Sequence, residues 1–118
     1  MSPVPTSKPA KPRSDKFGAW ISVSEVEKWE KEAERLGVSE VARGKKGFLW
    51  AYKRAGDRKR MEKTPVDVYN PAGLTWGEKR NAFLSRSVPQ FDGNRTYRRW
   101  LSLVMWAYVP PGPIPERQ

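Results

Sequence analysis

Between Ser22 and Gly37 the apolar residues Val23, Val26, Trp29, Ala33 and Leu36 return every three or four positions, with Glu27, Lys31, Glu34 and Arg35 between them. That spacing gathers the first set on one side of an α-helix and turns the second toward water. Ser22 and Glu25 have the spacing of a capping box and Gly37 supplies a stop, so the pattern predicts a first helix with both ends marked. Trp29, on its apolar side, reads as core packing. Ser39 can cap a single turn through Val41 and Arg43 before Gly44, Lys45, Lys46 and Gly47 break the pattern. Phe48, Ala51, Tyr52 and Ala55 then predict a short second helix ending at Gly56. At about 100° per residue, Trp50 falls opposite Phe48 and Tyr52, between Lys53 and Arg54 on the polar side and outside the core.

Residues 57–73 read as a charged connector followed by a wrapping loop. Pro65, Pro71 and Gly73 exclude a long helix there, and Val66, Val68 and Tyr69 leave room only for a short extended piece. Thr75 and Glu78 repeat the capping-box spacing and open a basic amphipathic helix that carries Lys79, Arg80 and Arg86 through Phe83 and Leu84, with Pro89 expected to end it. Thr96 caps a last helix whose apolar face is Tyr97, Trp100, Leu101, Val104, Ala107 and Tyr108, widened by Leu103 and Met105 until it reads as buried and central. Its polar stripe holds Arg98, Arg99 and Ser102, beside Trp106. Periodicity does not separate a buried helix from a buried strand over so short a run, so a strand across 100–109 stays open as the alternative. The expected fold is all-α, a bundle of about four helices over residues 17–109, with a flexible basic arm at 1–16 and a proline-rich tail at 110–118.

Composition narrows the chemistry. A chain of 118 residues has room for one domain, and 37% hydrophobic residues are enough for a small core. It contains neither Cys nor His, which removes disulfides, the thiol nucleophile, the imidazole base and the usual ligands of zinc, haem and iron–sulfur centres. Asp57, Asp67, Glu78 and Asp92 have no spacing that marks a metal pair or an acid–base pair, and no phosphate-binding or nucleophile motif of the common enzyme classes occurs. The reading is a protein that is not an enzyme and needs no cofactor or metal. No apolar run approaches the roughly 20 residues that cross a bilayer, and residues 1–16 lack the apolar stretch of a secretory signal, so a soluble or peripheral protein is expected, and the lack of Cys fits the cytoplasm.

Charge points to the partner. Lys and Arg number 23 against 13 Asp and Glu, a net charge of +10, and residues 38–63 alone hold nine basic side chains against three acidic ones. The first helix carries the acids instead. A single basic face suits an anionic polymer, and no helix pairs a basic side with the clean apolar side that lies on lipid. Gly44 and Gly47 flank Lys45 and Lys46 immediately before a helix, an arrangement that suits a phosphate group. Basic and aromatic residues also interleave at Trp50 with Lys53 and Arg54, Trp76 with Arg80, and Trp106 with Arg99, as in surfaces that stack bases and neutralise phosphates.

Three resemblances bear on this. The Gly44–Lys45–Lys46–Gly47 run between two helical segments resembles the GxxG loop of KH domains, which clamps a nucleic-acid backbone; the strands of that fold have no counterpart here, so what it implies is a phosphate-binding loop. Residues 21–43 resemble the strand-to-helix start of ribbon-helix-helix repressors, or, at Ala33, Gly37, Val38 and Ser39, the turn of helix-turn-helix proteins, which implies DNA binding; Gly44 and Gly47 interrupt the helix that follows in those families. Residues 41–56, 76–91 and 97–108 together are similar to short basic proteins of tailed phages and other large DNA viruses, which implies a viral setting, in the host cytoplasm or the virion.

The expected function is therefore that of a nucleic-acid-binding accessory protein for DNA or RNA. Arg43, Lys45, Lys46, Lys53, Arg54, Arg58, Lys59 and Arg60 are its phosphate contacts and Trp50 its stacking or wedging residue. The alternative is a structural or assembly protein that docks on viral subunits through its two ends and its exposed Trp side chains.

Overall fold

The computed structural model describes residues 17, 19–67 and 70–117, so the arm at 1–16 and the extended piece at Val68 and Tyr69 lie outside the described residues. Among the described residues the chain is all-helical. The segments are α1 (Val23–Leu36), α2 (Glu40–Arg43), α3 (Phe48–Ala55), α4 (Arg58–Lys63), α5 (Trp76–Gly93) and α6 (Tyr97–Val104). The strand alternative for 100–109 is thereby excluded, and pairing is limited to one isolated antiparallel bridge between Pro65 and Thr75.

Helix starts follow the side-chain caps. The Ser22 hydroxyl accepts from the Glu25 N–H at 3.2 Å, while the Glu25 carboxylate turns to Lys28 instead of closing the box. The box at Thr75 is complete: Thr75 Oγ1 accepts from the Glu78 N–H and the Glu78 carboxylate accepts from the Thr75 N–H. Ser39 caps nothing with its side chain; its backbone is left-handed and its hydroxyl donates across to Ser102 of α6.

Three boundaries differ from the pattern. Residues 58–63, expected as connector, form α4, because Asp57 accepts from the Arg60 N–H at 2.9 Å and the fully buried Met61 anchors the turn from below. Pro89 does not end α5, which runs on to Gly93. A proline removes one ladder bond, here to the carbonyl of the exposed Ser85, which is open to donors from solvent; Phe91, fully buried, then holds the last turn in place. Finally, α6 closes at Val104 in a Schellman pair, with the Tyr108 N–H donating to Leu103 O at 3.1 Å and the Ala107 N–H to Val104 O at 2.8 Å, which puts Ala107 at φ +63°.

That last turn folds Trp106 inward, so it is buried and not on the polar stripe. Around α6, α1 packs on one side and α5 on the other, while α3 leans on α1, α2 and α4. The centre is aromatic: Phe48 lies 4.9 Å from Trp106 and 5.8 Å from Trp76, Phe83 stacks on Trp106 at 4.8 Å, and Trp29 meets Trp100 edge-on at 4.9 Å.

Arg80 is the exception to a dry apolar core. Only 1% exposed, it donates through Nε to Trp106 O at 2.6 Å, through one terminal nitrogen to Phe17 O, and through the other to Ala107 O at 3.0 Å, with Trp20 4.3 Å from its guanidinium carbon. Two of these acceptors are the last carbonyls of the α6 turn, the negative end of the helix, so the cation caps it. Burial pushes its pKa down to about 9, the charge of Arg58 adding to the effect, and it remains a cation at neutral pH. The same junction takes the Ile21 N–H onto Ala107 O and the Tyr52 hydroxyl onto Ile21 O, tying the entry segment to α3 and α6.

The proline-rich tail is not a free arm over its described length. Arg95 donates to Pro111 O at 2.7 Å, Pro110 is buried, and Arg117 lies 3.3 Å from Glu32 of α1 and over the ring of Tyr97.

Candidate nucleic-acid interface

The glycine loop is built by close approach. The Gly47 N–H donates to Gly44 O at 2.9 Å, closing a turn with Lys45 and Lys46 at its corner, and Lys46 takes a left-handed φ of +58°. A Cβ placed on Gly47 would sit 2.2 Å from Val41 O, so glycine is required there because the chain crosses directly over the α2 backbone. The first bond of the next helix runs from the Ala51 N–H to Gly47 O at 3.0 Å, and Gly47 offers no side-chain cap. Both lysines point outward, exposed and without a partner among the described residues.

From this loop α3 buries Phe48, Leu49, Ala51 and Tyr52 and leaves Trp50, Lys53 and Arg54 on its outer side. Trp50 is half-buried at the edge of the core, with Arg54 4.9 Å from the ring centre. A cleft of about 200 Å³ borders it on the loop side, with Arg43, Lys45, Lys53 and Glu30 in its walls. Another, of about 320 Å³, lies between Trp50 and the segment after α4, with Arg54, Thr64, Pro65 and Asp67 around it and Trp76 behind. Trp76 is fully buried, and its indole N–H has no partner in the structure.

The proposed phosphate contacts separate into two groups. Lys53 bridges Glu27 and Glu30 of α1 at 3.4 and 3.5 Å, Arg58 pairs with Glu62 at 2.9 Å, and Arg43 donates to Val38 O at 2.7 Å. These three hold the fold. Among the described residues Lys45, Lys46 and Lys59 have no partner, Arg54 rests on Trp50, and Arg60 makes one long contact to Ala55 O at 3.4 Å. Lys63, which sequence reasoning did not place in the site, lines the same shallow cleft of α4 as Arg58, Lys59 and Arg60. Its signal was the continuous basic run, hidden by reading that run as connector.

The other two aromatic–basic pairs do not form a surface. Trp76 and Arg80 are both buried, and Trp106 is buried while Arg99 caps Asn94 O at 3.3 Å on the outside. No helix among the described residues is long and apolar enough to cross a membrane. Comparison with protein-family models, curated proteins and solved structures finds no match among any of the three.

Proposed function

We propose that this chain is a non-catalytic, nucleic-acid-binding accessory protein that lays a single-stranded segment across Trp50. The observation that carries the reading is the placement of one half-buried indole between two clefts, backed by Arg54, with Lys45 in the wall of one cleft and Lys46 beside it in the same turn, neither paired among the described residues. An indole held on one side presents area for a base to stack on, and the ammonium groups of that turn meet the phosphates. Single strands suit the site because a stacked base must be unpaired to reach it. Glu30 and Asp67 in the cleft walls restrict where phosphates run and supply acceptors for exocyclic amino groups of bases.

Amide shift mapping with a single-stranded oligonucleotide tests this reading. Perturbations are expected at residues 44–54 and 58–64. Shifts confined to other elements, or none at low salt, overturn it.

A further inference from the structure

A further groove shares no residue with the Trp50 clefts. It encloses about 660 Å³ between α2 and the middle of α5. Its floor is mostly apolar: Phe83, itself stacked on Trp106, with Ala42, Ala82 and Leu74 beside it. Val41 stands in the wall at 64% exposure, a β-branched apolar side chain that α2 directs away from the core. Lys79 and Arg86 mark the rim. They are seven residues apart, so two helical turns and roughly 10 Å separate them along one face of α5. Among the described residues neither side chain has a hydrogen-bond or ion-pair partner, whereas the other arginines of the bundle are spent on carbonyls, carboxylates or rings.

We propose that this groove docks a segment of a partner protein that is acidic and carries apolar anchor side chains. Two features choose this occupant. The floor is mostly apolar, its Ser39 and Ser102 hydroxyls are bonded to each other at 3.1 Å and the second rim carries Glu40, so the groove suits side chains better than a nucleic-acid backbone. The charge of the rim selects the sign: the chain's own residues 1–16 hold four basic side chains against one acidic and meet Lys79 and Arg86 with like charge, and a second copy offers its acid-rich helix α1 only with the apolar face of that helix already packed in its own core. An acidic segment with carboxylates about 10 Å apart meets both cations while its apolar side chains fill the space over Phe83. The inference does not rest on the Trp50 reading, and together the two surfaces make the protein an adaptor between an anionic strand and an acidic partner.

The test is selection of a displayed random peptide library on the immobilised full-length protein, in parallel with the Lys79→Glu/Arg86→Glu double variant. The native protein is expected to enrich sequences that combine Asp or Glu with Leu, Ile, Phe or Trp, and the double variant to enrich basic-apolar sequences instead. A peptide synthesised from the native selection is expected to shift amides of residues 39–42 and 79–86, and Val41→Asp, at an exposed position, to weaken it at least tenfold with an unchanged circular dichroism spectrum. Enrichment without acidic-apolar character, identical selection by both proteins, or a peptide that maps to residues 44–54 overturns the proposal. So does a single-stranded oligonucleotide that shifts the groove amides in the peptide's place.

Discussion

A guanidinium buried with no carboxylate beside it is stable at Arg80 because backbone carbonyls take that part: it donates to Trp106 O, Ala107 O and Phe17 O while Trp20 covers its face. Removing it strands Trp106 O at a helix end and leaves Ala107 O with the Ile21 N–H alone, and a flexible ammonium cannot reproduce the planar fork. Arg80→Met is expected to cost about 1 to 3 kcal/mol in urea unfolding, and Arg80→Lys to recover less than half of that loss; a Lys variant as stable as the native chain contradicts the fork. This role was half legible. Arg80 follows Trp76 by four residues, which places both on one helix face, but a charged residue in a basic helix reads as surface until the carbonyls of a distant turn are seen to meet it. At Gly47 the sequence suggested a phosphate-facing glycine, and the structure shows a glycine pressed against Val41 O. Gly47→Ala is expected to destabilise the protein by about 2 to 4 kcal/mol; a neutral result by thermal melting shows that the loop moves aside easily.

At the level of elements, side-chain caps and glycine stops were legible, Gly37 and Gly56 closing α1 and α3 as expected, whereas ends that depend on packing were not. Ser22, Thr75 and Thr96 each cap as their side chains allow, since N-caps are local chemistry between residues three apart. The last helix shows the other case: its end depends on the Schellman turn at Ala107 and on Arg80 receiving its carbonyls, and neither is a property of the local sequence. The helix of residues 58–63 was missed because it has a single apolar anchor, Met61, and one residue carries no period. Pro89 inside α5 leaves the Ser85 carbonyl without its ladder donor. Pro89→Ala restores that bond and is expected to raise stability by about 1 to 3 kcal/mol, as read from the denaturant midpoint. A loss of stability shows instead that the proline ring is needed where it packs.

For the whole molecule, the Arg117–Glu32 ion pair adds to the buried Pro110 and to the Arg95 bond on Pro111 O in holding the described C-terminal residues. Glu32 accepts a hydrogen bond from Arg35, and this, with the positive charges of Arg35 and Arg117, holds its carboxyl below the ordinary value of 4.5, although burial opposes the shift. A depressed carboxyl contributes stability in full above its unfolded value and loses it as pH falls through the lower folded one. Residues 110–117 are therefore expected to stay docked at neutral pH and to loosen below about pH 4.5. Glu32→Gln is expected to loosen them at pH 7, with amide relaxation as the measure. Tail residues equally rigid in the variant assign the docking to Pro110 and Arg95 alone.

The candidate interface was largely legible because its residues are contiguous between Arg43 and Lys63. What contiguity hid is the pairing across elements: Lys53 belongs to Glu27 and Glu30 of α1, a link that only packing creates. The effective charge of the face is thus smaller than its count of cations, and Trp50 with Lys45 and Lys46 is its centre.

The most direct measurement is fluorescence anisotropy of a labelled single-stranded oligonucleotide against the native protein, Trp50→Ala and Lys45→Ala/Lys46→Ala over a range of salt. The native protein is expected to show log affinity falling linearly with log salt. The double variant is expected to reduce the slope by about 1.4, two phosphate contacts on a single strand. Trp50→Ala is expected to weaken binding roughly 5- to 150-fold with the slope unchanged, the signature of lost stacking. Native protein that does not bind at low salt, or variants that bind as the native chain does, would contradict a nucleic-acid interface at Trp50.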